Sequence, residues 1–422
     1  MTTKQIEAAY QQARSRYAEV GVDTEHALAV LATVPVSLHC WQGDDVGGFE
    51  RQGAALSGGG IQVTGTHPGK ARTIDELRAD LAKAFSLIPG KHRLNLHAMY
   101  GDFEGKPVGR DQITSRHYRS WVDWARERSL GIDFNATCFS HPKADSGFTL
   151  SHRDEGMRRF WIEHVKRCRE ISAFMGRELG SACIHNLWIP DGAKDIPIDR
   201  WERRRLLRDA LDEIYAVDYA PDEMKDALES KLFGIGSESF VVGSHDFYVC
   251  YALLRGKIIC LDLGHYHPTE SVPDKISALL QFFEEMLVHV SRGVRWDSDH
   301  IVILTDDLRS LMEEIVRADA LGRVHLALDF FDGSMSRVGA WAIGARATLK
   351  AILSALLEPR DALRRQDAAN DAFARLAWLE EARALPWGAV WDHYCLTQSV
   401  PVGEALVDDV REYEESVTRK RG

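Results

Sequence analysis

Four residues able to bind a metal, Glu229, Asp262, His289 and Asp329, fall one each in four successive apolar runs: LESKLF (228–233), IICLDLGH (258–265), LVHVSRGV (287–294) and VHLALDFF (324–331). Three carboxylates and an imidazole are expensive to bury unless they are paired or bound to a cation. One divalent cation between them would offset their repulsion. An oxygen-rich set with one imidazole suits manganese, magnesium, cobalt or zinc and does not choose among them. His265, at the end of the second run, and Asp297 and Asp299, just beyond the third, form a group able to hold a second cation nearby. Lys231 stands two residues after Glu229, so on an extended strand their side chains share a face. His39, His97, Asn135, Asn186 and Trp188 mark the ends of four earlier apolar runs. Each of these residues alone has an ordinary explanation: a salt-bridged acid, a hydrogen-bonded core histidine, a packed tryptophan, an ion-paired lysine. Together they would require many strand ends to bury unexplained charge, and a metal-dependent enzyme accounts for all of them at once.

The elements that must position these residues follow from the same runs. With VPVSLHCW (34–41), RLNLHAMY (93–100), LGIDFNATC (130–138) and ACIHNLWI (182–189), there are eight strand candidates before residue 336. They are apolar on both faces, as strands buried in a parallel sheet are. Helical patterns separate them. Thr73-Ile-Asp-Glu76 reads as a capping box, followed by Leu77, Leu81, Phe85 and Ile88 at helical spacing and a stop at Pro89-Gly90. Strand-then-helix repetition forces parallel strands with right-handed crossovers. The expected fold is therefore a (β/α)8 TIM barrel, with an N-terminal helical segment (1–30) inside a catalytic domain over 1–335. A helical extension follows over 336–422, where strand signals end and Ala, Leu, Glu and Arg dominate. In this fold the C-terminal strand ends carry the active site, and that is where the polar residues gather. Asp262 and His265 cannot share one face of a regular strand, so Asp262 is placed in the barrel and His265 at its rim.

Composition narrows the rest. The 422 residues suggest two or three domains, but one barrel with helical additions uses them fully. A formal charge of −11 makes nucleic acid a poor partner, and no apolar run is long enough to span a membrane. Without an apolar leader at the N-terminus, the chain is expected in the cytoplasm. The seven cysteines are widely spaced and contain no C-x-x-C, which argues against disulfides and thiolate zinc. One glycine-rich stretch, 42–72, is too long for an ordinary connection and is expected to cover the site or an interface. It lacks the spacing of a phosphate-binding loop, and no phosphate cradle is evident elsewhere.

At these residues the chain resembles the L-rhamnose isomerases of the enterobacterial type over nearly its whole length. The segments that carry the resemblance are VSLHCWQGDDVGGFE (36–50), RLNLHAMY (93–100), FTLSH (148–152), WIPDGAKDI (188–196), ESKLFGIGSES (229–239), CLDLGHYHPTE (260–270), HVSRGVRWDSDH (289–300) and LDFFDGS (328–334). The match loosens around 101–108 and 396–412 but departs at no charged site position. The resemblance implies an aldose–ketose isomerase converting L-rhamnose to L-rhamnulose, the first step of rhamnose catabolism. It implies a homotetramer using Mn2+ at two sites per subunit, with Zn2+, Co2+ or Mg2+ tolerated. By match to the family's motifs, Glu229, Asp262, His289 and Asp329 resemble the ligands of the first metal. His265, Asp297 and Asp299 resemble those of the second, with Asp332 a near neighbour. Lys231 resembles the lysine at the substrate's O1, His97 the histidine at the ring oxygen, and Trp188 the aromatic wall. Lys231, His97 and Asp329 are the residues expected to take part in catalysis, in a hydrogen shift between C1 and C2. The rival readings are a metal-dependent sugar epimerase or aldolase on the same barrel, and a non-catalytic sugar-binding protein.

Overall fold

The computed structural model describes residues 1–50, 61, 63–232, 239–267, 269–294 and 296–421, with only the backbone for 296–299. Eight strands close a barrel: β1 (Pro35–His39), β2 (Lys91–His97), β3 (Gly131–Asn135), β4 (Cys183–Leu187), β5 (Met224–Glu229), β6 (Ile258–Asp262), β7 (Met286–Val290) and β8 (Val324–Leu328). Each is parallel to its neighbour in sequence, and β8 pairs with β1 through Val36 and Leu326. The TIM barrel expected from the alternation of runs is the fold.

Three strands differ in extent from their sequence signals. The fifth spans Met224–Glu229 rather than 228–233, so Lys231 lies beyond the strand end. Its first half, MKDALE, hides its strand character behind charge. Asp226 is outward-facing and fully ion-paired, with both oxygens 2.9 Å from the guanidinium of Arg169 on the helix Glu155–Leu179. The seventh signal, 287–294, is two elements. The barrel strand stops at Val290, and Arg292–Val294 pairs antiparallel with Trp296–His300 as a separate ribbon. The eighth stops at Leu328, which puts Asp329 one residue past it.

Helices cover the outside. The helix Ile74–Ser86 buries Leu77, Leu81 and Ala84. Only half of its capping box forms. Thr73 Oγ1 accepts from the Glu76 amide at 3.2 Å, but the Glu76 carboxylate is taken by the amide and guanidinium of Arg72. A nearby cation outcompetes a second neutral amide for that carboxylate. The helix Arg337–Leu356 follows β8, packs on the helices Ile74–Ser86 and Asp306–Arg317, and is buried along most of its length. Beyond it lie the helices Arg360–Ala368, Ala372–Arg383, Trp387–Thr397 and Ala405–Ser416, and the short turn Thr418–Arg421. The N-terminal helix Thr3–Glu19 packs on Trp387–Thr397, with Tyr10 and His393 stacked at 3.8 Å. No single helix among the described residues is long and apolar enough to cross a membrane. All seven cysteines are free, and only Cys250 is exposed.

The pleat sorts the barrel interior into layers, because alternate residues point inward. At the N-terminal end Lys225 and His325 share the Glu285 carboxylate, and Arg93 and Ser37 bind Asp133. Above them Ile184, Ala227, Cys260, Leu287 and Ala327 form a small apolar cluster of their own. One residue pair further along each strand come Asn186, Glu229, Asp262, His289 and Asp329.

Candidate metal centre and sugar cleft

Glu229 and Asp262 are the last residues of β5 and β6, His289 lies within β7, and Asp329 follows β8 directly. One ligand atom from each of the four lies within 4.8 Å of all the others. His289 Nδ1 is 3.1 Å from Asp329 Oδ2, 3.5 Å from Glu229 Oε2 and 3.8 Å from Asp262 Oδ2. Among the described residues, no well-aligned hydrogen bond satisfies Glu229 Oε1, Asp262 Oδ2 or either ring nitrogen of His289, although all are buried. Buried polar atoms are almost always partnered, so convergent orphans of this kind fit a cation. The donor set of carboxylates and one imidazole matches a hard or borderline divalent ion.

The electrostatics agree with that fit. Burial, with Asp329 and Glu229 alongside, pushes the Asp262 carboxyl up to about 7. Burial also opposes ionisation of Glu229, yet His289 and His265 hold it well below the ordinary carboxylate range. His289 is desolvated too, but Cys260, Glu229 and Asp329 beside it raise it well above the usual imidazole value. The protein alone therefore shares protons among these groups, and a divalent charge would replace them.

Each carboxylate has one oxygen tied by a donor outside the cluster, which leaves the other for a ligand. Asn186 Nδ2 donates to Glu229 Oε2 at 2.5 Å. Gly264 N and Ser291 Oγ donate to Asp262 Oδ1 at 2.6 and 2.5 Å. Trp41 Nε1 donates to Asp329 Oδ1 at 3.2 Å. Donors of this kind fix the orientation of ligating carboxylates.

A cleft of about 550 Å3, its mouth included, opens above the cluster. Glu229, Asp329, His265, Lys231, His97, Asn135 and Trp188 line it, with Trp41, Phe139 and Phe331 as further aromatic walls. Lys231 Nζ sits 5.1 Å over the Trp188 ring, a cation–π contact that keeps the ammonium at the cleft. His265 Nδ1 lies 3.0 Å from Glu229 Oε1, so His265 borders the four-residue cluster. The side chains of Asp297 and Asp299 lie outside the described residues, as does part of the 42–72 stretch.

His97 is neutral, because burial lowers its ring to about 3. Its Nδ1 is 2.8 Å from Thr137 Oγ1, which also accepts from the Ala98 amide at 2.9 Å. With that amide in place, the Thr137 hydroxyl hydrogen is best spent on Nδ1 rather than on Asn135 O at 3.4 Å. His39 is buried against Phe330, with Nε2 2.5 Å from its carbonyl, and does not line the cleft. The Asp332 carboxylate closes its own turn by accepting from the amide and hydroxyl of Ser334.

Four contributors went unnoticed in the sequence: Trp41, Thr137, Phe139 and Ser291. The first two sit two residues beyond His39 and Asn135, so the rule that strand ends and the residues after them face the cleft would have found them. The same rule reaches Ser291, two residues beyond His289 and directly after β7, whereas Phe139 carries no such signal. Packing alone brings the Phe139 ring within 5.5 Å of Trp188.

The L-rhamnose isomerase (RhaA) family profile matches residues 4–421. The L-rhamnose isomerase of Bacteroides thetaiotaomicron is 56% identical, covering 99% of this chain and 99% of that protein. That of Rhodopirellula baltica is 55% identical, covering 99% and 97%. That of Escherichia coli is 53% identical, covering both chains completely.

Proposed function

The chain belongs to the L-rhamnose isomerase family and is an isomerase, and from that premise we propose that it converts L-rhamnose to L-rhamnulose with divalent cations held at the strand ends. The observation that carries this reading is the convergence of Glu229, Asp262, His289 and Asp329, with orphaned buried ligand atoms, at the floor of an aromatic cleft. We assign these four to the first cation and His265, Asp297 and Asp299 to a second. Mn2+ is the expected ion, with Zn2+, Co2+ or Mg2+ as substitutes. A bound cation supplies Lewis acidity toward the two sugar oxygens that flank the transferred hydrogen.

The chain's own groups do the rest. Neutral His97 moves a proton at the ring oxygen while the pyranose opens, since an uncharged imidazole can both accept and donate. The Lys231 ammonium stabilises negative charge that develops on O1. Asp329, held by Trp41 and facing the cleft, shares in the hydrogen shift from C2 to C1. Trp188 packs on the sugar carbons with Phe139 beside it, and water is displaced from the reacting face. The exposed side chains of Ile196, Ile198, Trp201, Phe373 and Leu376 fit a homo-oligomer, which we take to be a tetramer, with the helices beyond residue 336 carrying part of the contacts. Seven free cysteines suit a cytoplasmic, reducing setting.

The test is chelation followed by re-addition of single divalent ions, with L-rhamnose in deuterated water. Rhamnulose is expected only after re-addition, without deuterium at C1. Full activity after exhaustive chelation overturns the cation assignment, and deuterium at C1 overturns a direct hydride route in favour of an enediol.

A further inference from the structure

Val46 and Ile61, from the segment after β1, form part of the cleft wall, and the conformation at the first of them is costly. Asp45 and Val46 have φ of 60° and 58°, in the left-handed region that a β-branched residue strongly disfavours. Val46 nevertheless lines the cleft, as does Ile61 on the returning side. Local bonds hold part of this geometry: Val46 N donates to Trp41 O at 3.0 Å, Phe49 N to Met99 O at 2.8 Å and Gly48 N to Asp44 Oδ2 at 2.7 Å; a distant arginine adds to them. Arg337 is only 5% exposed. It donates Nε and Nη2 to the two Asp45 oxygens at 2.8 Å, and Nη1 to the carbonyls of His67 and Pro68 at 2.9 and 3.3 Å. One planar guanidinium thus joins the outgoing and returning ends of the segment.

A second clamp lies farther along. Arg421 donates to Gly69 O at 3.2 Å and to both Asp80 oxygens at 2.6 and 2.7 Å, while Arg72 Nη1 donates to Arg421 O at 2.6 Å. Just ahead of both grips on the returning side, the backbone is fastened to the turn after β8: His67 N donates to Gly333 O at 2.8 Å, and Gly333 N to Thr64 O at 3.0 Å. Gly65, at φ 116°, allows this approach, since a Cβ there would lie 2.2 Å from the Gly333 carbonyl carbon.

We infer that Arg337 and Arg421 are positioning residues for the sugar cleft, bracing the segment after β1 so that Val46 and Ile61 form its apolar wall. The inference rests on the cleft being the sugar site. The wall touches substrate equally before and during reaction, so its loss removes uniform binding and raises KM rather than lowering kcat. Lysine cannot reproduce the fork that spans Asp45 and two carbonyls, so Arg337→Lys is expected not to restore what Arg337→Gln loses.

The experiment compares Arg337→Gln, Arg337→Lys and Arg421→Gln with the parent as cation-loaded enzymes. Three quantities are read: kcat and KM for L-rhamnose, cation affinity by calorimetry, and tryptic cleavage after Lys70 and Arg72. Both Arg337 variants are expected to raise KM about tenfold with kcat changed less than about twofold, as lost uniform binding requires. Cation affinity should stay at the parent value and cleavage should accelerate. Arg421→Gln should show the same pattern more weakly, and it keeps the test open if the buried arginine proves necessary for folding. Unchanged KM with unchanged cleavage in any soluble variant overturns the inference. So does a fall in kcat or cation affinity at unchanged KM, or full rescue by lysine. If the parent makes no rhamnulose, the sugar reading fails, and cleavage alone still decides whether the arginines brace the segment.

Discussion

Replacing Asn186 with alanine should weaken cation binding without dismantling the barrel. Asn186 Nδ2 donates to Glu229 Oε2 at 2.5 Å, and the two residues are 2% and 3% exposed. The other Glu229 oxygen faces His265 Nδ1 at 3.0 Å. The amide therefore fixes the carboxylate's rotation and neutralises part of its charge. Losing a hydrogen bond to a buried charged group costs about 1.5–3 kcal/mol. Water entering the vacated space would bring the cost toward the low end of that range. Glu229 is ionised with or without a cation, so the share of the cost that falls on the loaded state is the loss of the carboxylate's fixed orientation. At 1.4 kcal/mol per decade this is about a 10- to 100-fold rise in Kd, the range usual for residues that orient metal ligands. The assay is calorimetric titration of Mn2+ into chelated parent and variant at neutral pH, with thermal unfolding of loaded and chelated forms. The gap in Tm between loaded and chelated protein should narrow in the variant. A Kd within about twofold of the parent would refute the idea that Asn186 sets the Glu229 ligand.

Thr137→Val should leave packing intact but remove the hydroxyl that fixes the His97 tautomer. We expect kcat to fall about 10- to 100-fold, the lower part of a general acid–base contribution, with Mn2+ affinity unchanged; an unaltered pH–rate profile and kcat would rule out that role. Asp226→Asn breaks a buried pair with Arg169 and should cost about 3–5 kcal/mol at neutral pH. Burial disfavours the Asp226 charge, but His185 and Arg169 more than compensate, so its folded value lies far below the ordinary 3.8. A depressed carboxylate contributes stability above its unfolded value and loses it as pH falls. The difference between parent and variant in denaturant unfolding should therefore shrink below about pH 4. A constant difference across that window would contradict the assignment.

The barrel was legible because its strands are apolar on both faces, a property local sequence displays directly. The carboxylates were legible because charge in such runs has few explanations. Strand five was misplaced for the converse reason. Asp226 is satisfied by Arg169, and a sequence does not show that a charge has a partner 57 positions away. The seventh run merged a barrel strand with a ribbon because both are extended and only pairing distinguishes them. The donors behind the ligands show the same divide. Asn186 stood out by its place in a strand. Ser291 shared that signal, two residues beyond His289, but its partner Asp262 was invisible because only the closed ring brings β6 beside it. The bracing arginines were illegible in sequence: Arg337 and Asp45 are 292 positions apart, and only the closed ring makes them neighbours.

The apolar cluster of Ile184, Ala227, Cys260, Leu287 and Ala327 acts as a septum across the barrel. Below it, charged groups neutralise one another. Above it, among the described residues, the four-residue cluster opens to the cleft through Glu229 and Asp329, while Asp262 and His289 are at most 1% exposed. The described wall thus gives the proposed ion and sugar a shared mouth. A seated sugar would stand as the stopper over an ion beneath it, and ordered binding, ion first, is the expected outcome of initial-rate kinetics with both varied.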